Sequence, residues 1–254
     1  ERAVAIKPDF AEAHNNLGNV LKGLDQHETA LKSYKKAIAI QPDFAEAHTN
    51  LGIALKDLEQ LDAAIKSFKK ATAIKPDYFD AHFNLGDTLR VLGQLDTSVK
   101  SYEKARAIKP DHVGANNNLG ISLHKLDKLD EAFKSFKKAI VIEPDFAEAH
   151  NNLGNVLKSL GQFDAAVKSY KKVLAIKPDF ADAYNNLGIT YMDLGQEDMA
   201  IKYYEKALDI NPDFADAHNT LGIAHMNLGQ LDTAITCYKK ALVIEPDYAA
   251  AHYN

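Results

Sequence analysis

The chain contains no tryptophan, only one cysteine, and no uninterrupted apolar run of the ~18–20 residues that a membrane-spanning helix needs. Because one cysteine cannot form an internal disulfide, the sequence favours a reducing compartment, and we expect a cytoplasmic location. Membrane insertion is not expected. The formal net charge of −5 also disfavours nucleic acid as a partner, since such a protein needs a basic surface.

Proline is scarce, and its placement reveals how the chain is organised. Each of the eight prolines precedes an aspartate, and the prolines are always 34 residues apart: Pro8, Pro42, Pro76, Pro110, Pro144, Pro178, Pro212 and Pro246. A fixed period of this size indicates a repeat protein, in which each unit buries its apolar face against its neighbours. The sequence predicts one array over 1–254, with the end of a preceding repeat at 1–10, the start of a further repeat at 249–254, and full repeats at 11–44, 45–78, 79–112, 113–146, 147–180, 181–214 and 215–248.

Each repeat contains two amphipathic segments of helical length. In the first, helix A, leucine occupies the seventh place and glycine the eighth, as in Leu17 and Gly18. A glycine inside a helix costs about 1 kcal/mol relative to alanine, so its recurrence predicts that another helix backbone lies too close for a Cβ atom. The second, helix B, alternates small and large residues, as in Ala30, Tyr34 and Ala37, which is typical of interdigitating helices.

The Pro-Asp pair is predicted to separate successive repeats. Pro42 cannot continue a helix, and Asp43 with Glu46 has the spacing of a capping box at the start of the next helix A. The fourth place of most helices A holds a histidine. These histidines are about one repeat apart, whereas imidazole nitrogens lie ~2 Å from a metal ion. We therefore interpret them as packing residues and predict no metal site.

The recurring pattern of a small residue, Leu-Gly and a large residue, then Ala, an aromatic residue, Ala and Pro, resembles the tetratricopeptide repeat. The resemblance covers the whole chain, with histidine standing where the family often has tryptophan. It implies an all-α fold, a right-handed superhelical α-solenoid of antiparallel helix pairs, whose helices A line a concave groove that binds peptides or partner proteins. The RNA-binding pentatricopeptide family is disfavoured, because its repeats are one residue longer and its groove is basic.

The candidate binding residues are asparagines at the fifth and sixth places of helix A, which are predicted to face the groove. An amide offers both a donor and an acceptor, so a column of amides can hold the backbone of an extended peptide. The tetratricopeptide arm of O-linked N-acetylglucosamine transferase is similar, and its asparagines at this place bind substrate peptide backbones. The predicted residues are Asn16, Asn50, Asn84, Asn118, Asn152 and Asn186 at the sixth place and Asn15, Asn117, Asn151, Asn185 and Asn219 at the fifth.

Two regions depart from the regular pattern. In the third and fourth repeats, Phe83 stands in the groove column and is predicted to be a hydrophobic anchor. Gly114 breaks a capping box and Asn116 replaces a histidine, so the softest junction between repeats is predicted near 106–118. Repeat six is rich in tyrosine and methionine, which we interpret as a repacked core or, alternatively, as a side-chain pocket. These residues are Tyr184, Tyr191, Met192, Met199, Tyr203 and Tyr204.

No nucleophile–base pair, phosphate-binding loop or paired-carboxylate site stands out from the repeat pattern, so neither catalysis nor a cofactor is predicted for this segment. The main hypothesis is a non-catalytic scaffold that binds an extended segment of a partner protein through the groove asparagines. Two alternatives remain open, a substrate-recruiting arm of a larger enzyme such as a glycosyltransferase, and a structural scaffold that self-associates end to end. Capture of an acidic C-terminus is disfavoured, since the second, fifth and sixth places of helix A contain no base.

Overall fold

The computed structural model describes residues 9–253, and every regular element in this range is an α-helix. The described helices A have 13 residues and the described helices B have 14, apart from a short final helix. Part of the predicted end of a preceding repeat at 1–10, and the last residue of the predicted further repeat at 249–254, lie outside the described residues. The helix pairs confirm the predicted all-α fold.

The chain forms two compact units, of which the first extends to Lys128. It contains the helix pairs of repeats 1–3 and helix A of repeat 4. Its helices are α1 (Ala11–Gly23), α2 (His27–Ile40), α3 (Ala45–Asp57), α4 (Leu61–Ile74), α5 (Phe79–Val91), α6 (Leu95–Ile108) and α7 (Val113–Lys125).

The second unit begins at Leu129. It contains helix B of repeat 4, the pairs of repeats 5–7, and the short final helix. Its helices are α8 (Leu129–Ile142), α9 (Ala147–Ser159), α10 (Phe163–Ile176), α11 (Ala181–Asp193), α12 (Glu197–Ile210), α13 (Ala215–Asn227), α14 (Leu231–Ile244) and α15 (Ala249–Tyr253).

Within each unit, successive helices A touch one another. In the first unit α1 contacts α3 and α3 contacts α5, and in the second α9 contacts α11 and α11 contacts α13. Successive helices B, in the part of the chain that the structure describes, have no contacts of comparable extent. Each unit therefore curves toward its helices A, and these helices form what we call its inner face.

The recurring glycine of helix A lies against an aromatic ring of helix B, not against a helix backbone as predicted. A Cβ atom added to Gly52 would lie 2.5 Å from the ring of Phe68, and one added to Gly18 would lie 2.5 Å from the ring of Tyr34. Both rings are completely buried. The glycine thus makes room for the largest side chain of the partner helix, and the prediction of a close backbone was wrong.

The predicted capping box is not formed. Helix A of repeat 2 is preceded by Phe44, whose side chain makes no capping hydrogen bond and whose carbonyl oxygen accepts from the His48 N–H at 3.1 Å. Asp43 is one residue too early, and Glu46 accepts instead from Asn15 Nδ2 of the previous repeat at 3.0 Å. The acidic residue therefore joins neighbouring repeats rather than capping its own helix.

The fourth-place side chain of helix A secures the turn between repeats. His48 Nε2 donates to the Pro42 carbonyl oxygen at 3.0 Å. Because a carbonyl only accepts, Nε2 carries the hydrogen in this pair. Asn116, which replaces a histidine, donates in the same way to the Pro110 carbonyl oxygen at 3.0 Å. Equivalent histidine bonds are made by His82, His150, His218 and His252.

Candidate peptide-binding face

Most fifth-place asparagines lie between elements rather than at the open surface. The exposed fractions of Asn15, Asn117, Asn185 and Asn219 are 1%, 6%, 6% and 4%, whereas Asn151 is half-buried. These four side chains are therefore packed below the open surface, and their role in peptide binding stays a prediction. Asn15 and Asn185 are each bonded to the sixth-place side chain of the next repeat, which lies over the fifth place.

In the first unit, the amides of neighbouring repeats form a directed chain. Asn50 Nδ2 donates to Asn15 Oδ1 at 2.9 Å, and Asn15 Nδ2 donates to Glu46 Oε1 at 3.0 Å. The carboxylate at the end can only accept, so it fixes the orientation of both amides. Asn50 uses one N–H in this chain and has a second N–H and a carbonyl oxygen for a ligand.

The second unit contains the first bond of this chain, from the sixth place to the fifth place of the previous repeat, twice. Asn186 Nδ2 donates to Asn151 Oδ1 at 3.2 Å, which joins α11 to α9. Thr220 occupies the sixth place of α13, and its Oγ1 donates to Asn185 Oδ1 at 3.0 Å. A threonine hydroxyl thus performs the same bond as an asparagine amide. The fifth-place side chain thus supports the sixth-place side chain of the next repeat, which lies over it.

The sixth-place asparagines are accessible. Asn16 is exposed, and the other sixth-place asparagines are half-buried: Asn50, Asn84, Asn118, Asn152 and Asn186. Asn118 Nδ2 donates to Asp87 Oδ1 at 3.0 Å, so its amide is also oriented by the preceding repeat. The accessible polar row of the inner face is therefore the sixth place.

The ninth place of helix A belongs to the same face and depends on helix B of its own repeat. The Tyr34 hydroxyl donates to Asn19 Oδ1 at 2.9 Å, and its burial together with the Asp57 carboxylate raises the pKa of Tyr34 to about 12. Where helix B has Phe68 instead, the ninth place is Ile53. Sequence reasoning missed this pairing, although in repeats 1–5 a polar ninth place always accompanies tyrosine and isoleucine accompanies phenylalanine. Repeats 6 and 7 depart from it, since isoleucine there accompanies tyrosine.

Sequence reasoning also missed the twelfth place of helix A, which carries bases in the first unit. Lys22 Nζ lies 3.5 Å from Asp57 Oδ2 of the next repeat, and Lys56 Nζ donates to Asn84 Oδ1 at 3.4 Å. Arg90 has the same place in repeat 3. In repeats 6 and 7 the twelfth place holds Met192 and Met226, so the charge of this row is not uniform.

Phe83 packs into an aromatic cluster. Its ring centroid lies 5.6 Å from that of Phe79, 5.3 Å from that of His112 and 6.0 Å from that of Tyr102. His112 Nδ1 accepts from the Ala115 N–H at 3.1 Å and so supplies a helix cap where the capping box fails. The irregular residues of this region thus compensate one another. The anchor role of Phe83 and a soft junction near 106–118 stay predictions.

The tyrosines of repeat six pack on one another. The rings of Tyr191 and Tyr203 are stacked with centroids 5.2 Å apart, and the Tyr184 ring lies 6.3 Å from that of Tyr203. Burial, with the neighbouring Tyr191 as the next cause, raises the pKa of Tyr203. Tyr204 is 1% exposed. These contacts favour the interpretation of a repacked core over that of a pocket.

The described residues contain no group of three or more histidine, cysteine, aspartate or glutamate side chains that could hold a metal ion. No helix in the described range is long and apolar enough to cross a membrane. Cys237 is buried, and this burial raises the pKa of its thiol. A raised pKa lowers the thiolate fraction and with it the reactivity of the sulfur.

The paired helices and the recurring contacts define a helical-repeat protein. The family model described as "TPR repeat" matches 24–58, 54–90, 86–127, 122–161 and 154–195. The model described as "Tetratricopeptide repeat" matches 181–214 and 215–248. The chain belongs to the tetratricopeptide repeat family. No curated protein is similar enough to count as a match.

Solved structures of related proteins resemble the chain. MamA is 32% identical with a TM-score of 0.57, over 65% of this chain and 96% of MamA. YrrB, described as a TPR protein with an unusual peptide-binding site, is 26% identical with a TM-score of 0.63, over 72% of this chain and 95% of YrrB. A tetratricopeptide repeat protein from Parabacteroides merdae has a TM-score of 0.77 over 96% of both chains, and its 17% identity shows the fold alone.

Proposed function

We propose that the chain is a non-catalytic interaction scaffold that binds extended segments of a partner protein along the inner faces of its units. The sixth-place asparagines hold the backbone of each segment. The observation that carries this proposal is the directed chain from Asn50 through Asn15 to Glu46, in which a buried amide orients an accessible one. Membership of the family and the peptide-binding site named for YrrB support the same reading.

Orientation of the amides lowers the cost of binding. A mobile asparagine loses side-chain freedom when it binds, which costs ~0.5–1.5 kcal/mol for a flexible side chain. Asn50 and Asn186 are already held by Asn15 and Asn151, so less freedom is lost. Packed helices are ~8–10 Å apart, and an extended chain covers that distance in about three residues at ~3.3 Å each. One amide per repeat thus suits an extended backbone with little demand on its sequence.

The test is a peptide-library binding screen of the purified chain and of a variant with Asn50, Asn84, Asn118 and Asn152 all changed to alanine. Each neutral hydrogen bond contributes about 1 kcal/mol, so we expect the variant to bind every hit at least tenfold more weakly, regardless of peptide sequence. A matched control changes the exposed helix B residues Lys35, Lys69 and Lys137 to alanine and should bind as the wild type does. Equal affinity of the asparagine variant for all hits would contradict the proposal.

Recruitment of substrates for a larger enzyme would use the same face. That alternative, the likeness to the arm of O-linked N-acetylglucosamine transferase, and end-to-end self-association stay predictions from the sequence.

A further inference from the structure

The inner face changes character in repeats 6 and 7. On α11, Ile189 and Met192 follow Asn185 by four and seven residues and therefore lie on the same side of the helix. On α13, Ile223 and Met226 follow Asn219 with the same spacing. All four apolar side chains are partly exposed, and Met226 has an exposed fraction of 40%.

The bond between Thr220 and Asn185 brings these two helix faces together. This bond joins the second turns of α11 and α13, and the two helices are in contact. Ile189 and Met192 lie about one to two turns further along α11, and Ile223 and Met226 lie similarly far along α13. We call these four partly exposed side chains the apolar strip. The Tyr238 hydroxyl lies 3.8 Å from Met226 Sδ and supports that side chain from below.

The ionised side chains carried by the two helices of the apolar strip are all acidic. Neither α11 nor α13 contains lysine or arginine, whereas Asp182 and Asp216 lie in their first turns and Asp193 ends α11. The Asp216 carboxylate accepts from the Tyr248 hydroxyl, which orients it. The nearest preceding base on a helix A of this unit is Lys158 on α9. An acidic ligand is therefore disfavoured here, and a ligand with bases is favoured.

We propose that the apolar strip selects partner segments by their side chains: it binds an aliphatic residue that is flanked by lysine or arginine. This inference rests on the proposed function, because Asn186, the sixth-place amide three residues before Ile189, is one of the groups that hold the backbone. Isoleucine and methionine side chains bury an aliphatic group without a fixed shape, since methionine adapts to its neighbour. Asp182 and Asp216 lie about two to three helical turns before the strip residues of their own helices and attract the flanking bases.

The test uses capped dodecapeptides with a glycine-serine background, a central leucine or serine, and flanking lysines or glutamates. Binding is measured by fluorescence anisotropy. We expect the wild type to prefer central leucine over serine about tenfold, as expected for burial of one aliphatic side chain. In Met192→Gln/Met226→Gln the preference should fall to about twofold. In Asp182→Asn/Asp216→Asn the preference for lysine over glutamate should fall while the preference for leucine persists.

Two controls keep the result specific. Met192→Leu/Met226→Leu preserves an aliphatic surface and should retain the preference for leucine. Val141→Gln/Val243→Gln removes two exposed apolar side chains from helices B of the same unit and should leave binding unchanged, since these residues are 71% and 82% exposed and lie outside the inner face. Thermal unfolding by circular dichroism verifies that each variant is folded.

The outcomes separate this proposal from the broader one. If the wild type binds peptides through its sixth-place asparagines but the glutamine variant keeps its preference for leucine, the apolar strip is not the selective site and the scaffold function stands. If the wild type binds none of the peptides, both proposals are overturned. A preference for flanking glutamates would overturn the charge assignment.

Discussion

The inner faces of repeats 1–3 and of repeats 6–7 share one device and differ in another. In both, an amide or hydroxyl at the sixth place bonds to an asparagine at the fifth place of the previous repeat, as Asn50 does to Asn15 and Thr220 does to Asn185. At the twelfth place, however, Lys56 of the first region corresponds to Met226 of the second. The bond between the sixth and fifth places, which can orient groups that hold a peptide backbone, is therefore present in both regions. The apolar surface that can distinguish side chains is confined to repeats 6–7.

The largest expected effect tests whether the two units have the same core. In Gly52→Ala the new Cβ would lie 2.5 Å from the ring of Phe68, and in Gly154→Ala it would lie 2.5 Å from the ring of Tyr170. Since both rings are fully buried and cannot move away, we expect each variant to lose about 3 kcal/mol of unfolding free energy, measured by urea denaturation.

Gly23→Ala is the matched control, because a Cβ added at this helical glycine meets nothing within 4 Å. That variant should be as stable as the wild type or more so, by up to about 1 kcal/mol. A loss at Gly52 no larger than the change at Gly23 would show that the ring can relax and that the glycine has another role.

The next effect tests the division between the fifth and sixth places. Asn15→Ala removes the partner of both Asn50 and Glu46, so we expect a loss of about 1–2 kcal/mol in unfolding free energy. Asn16→Ala changes an exposed neighbour of the same type and should stay within about 0.5 kcal/mol of the wild type.

Asn185→Ala extends this test to the second region, because Asn185 is buried and bonded to Thr220 in the same manner. A similar loss in Asn15→Ala and Asn185→Ala would show that the amide chain is a shared structural device. If Asn16→Ala were as destabilising as Asn15→Ala, the assignment of separate roles would be wrong.

The repeat period and the apolar pattern within each repeat predicted the helices and the candidate row of asparagines, and the family resemblance implied the antiparallel pairing of the helices. The sequence could not separate Asn15 from Asn16, because both are polar and adjacent. Successive residues point about 100° apart around a helix, and only the position of the next helix A decides which of them is buried. The burial of Asn15 at 1% and the exposure of Asn16 follow from that packing.

The errors about glycine and capping have the same physical origin. Gly52 indicated a close approach, but its partner was the Phe68 ring of the same repeat, which sequence spacing does not identify. Asp43 and Glu46 have capping-box spacing, but helix A begins two residues after Asp43. Glu46 accepts a hydrogen bond from Asn15 Nδ2 instead. A local motif is overruled when a neighbouring repeat offers a better partner.

The smallest effect concerns the turns from helix A to helix B, where the two units differ again. Glycine adopts positive φ in these turns at Gly161, Gly195 and Gly229 of the second unit and at Gly93 of the first. Among the described residues, only the first unit also has residues with a Cβ in this conformation, as at Glu59 with φ of 58° against 67° at Gly195. A residue with a Cβ in this conformation is strained by about 1 kcal/mol relative to glycine. We therefore expect Glu59→Gly to stabilise the chain by about 1 kcal/mol and Gly195→Glu to destabilise it equally, measured by urea denaturation. The Glu59→Gly/Gly195→Glu double variant should return to wild-type stability, because two distant turns act independently. A destabilising Glu59→Gly would mean that the Glu59 side chain contributes more to the unfolding free energy than its backbone strain costs.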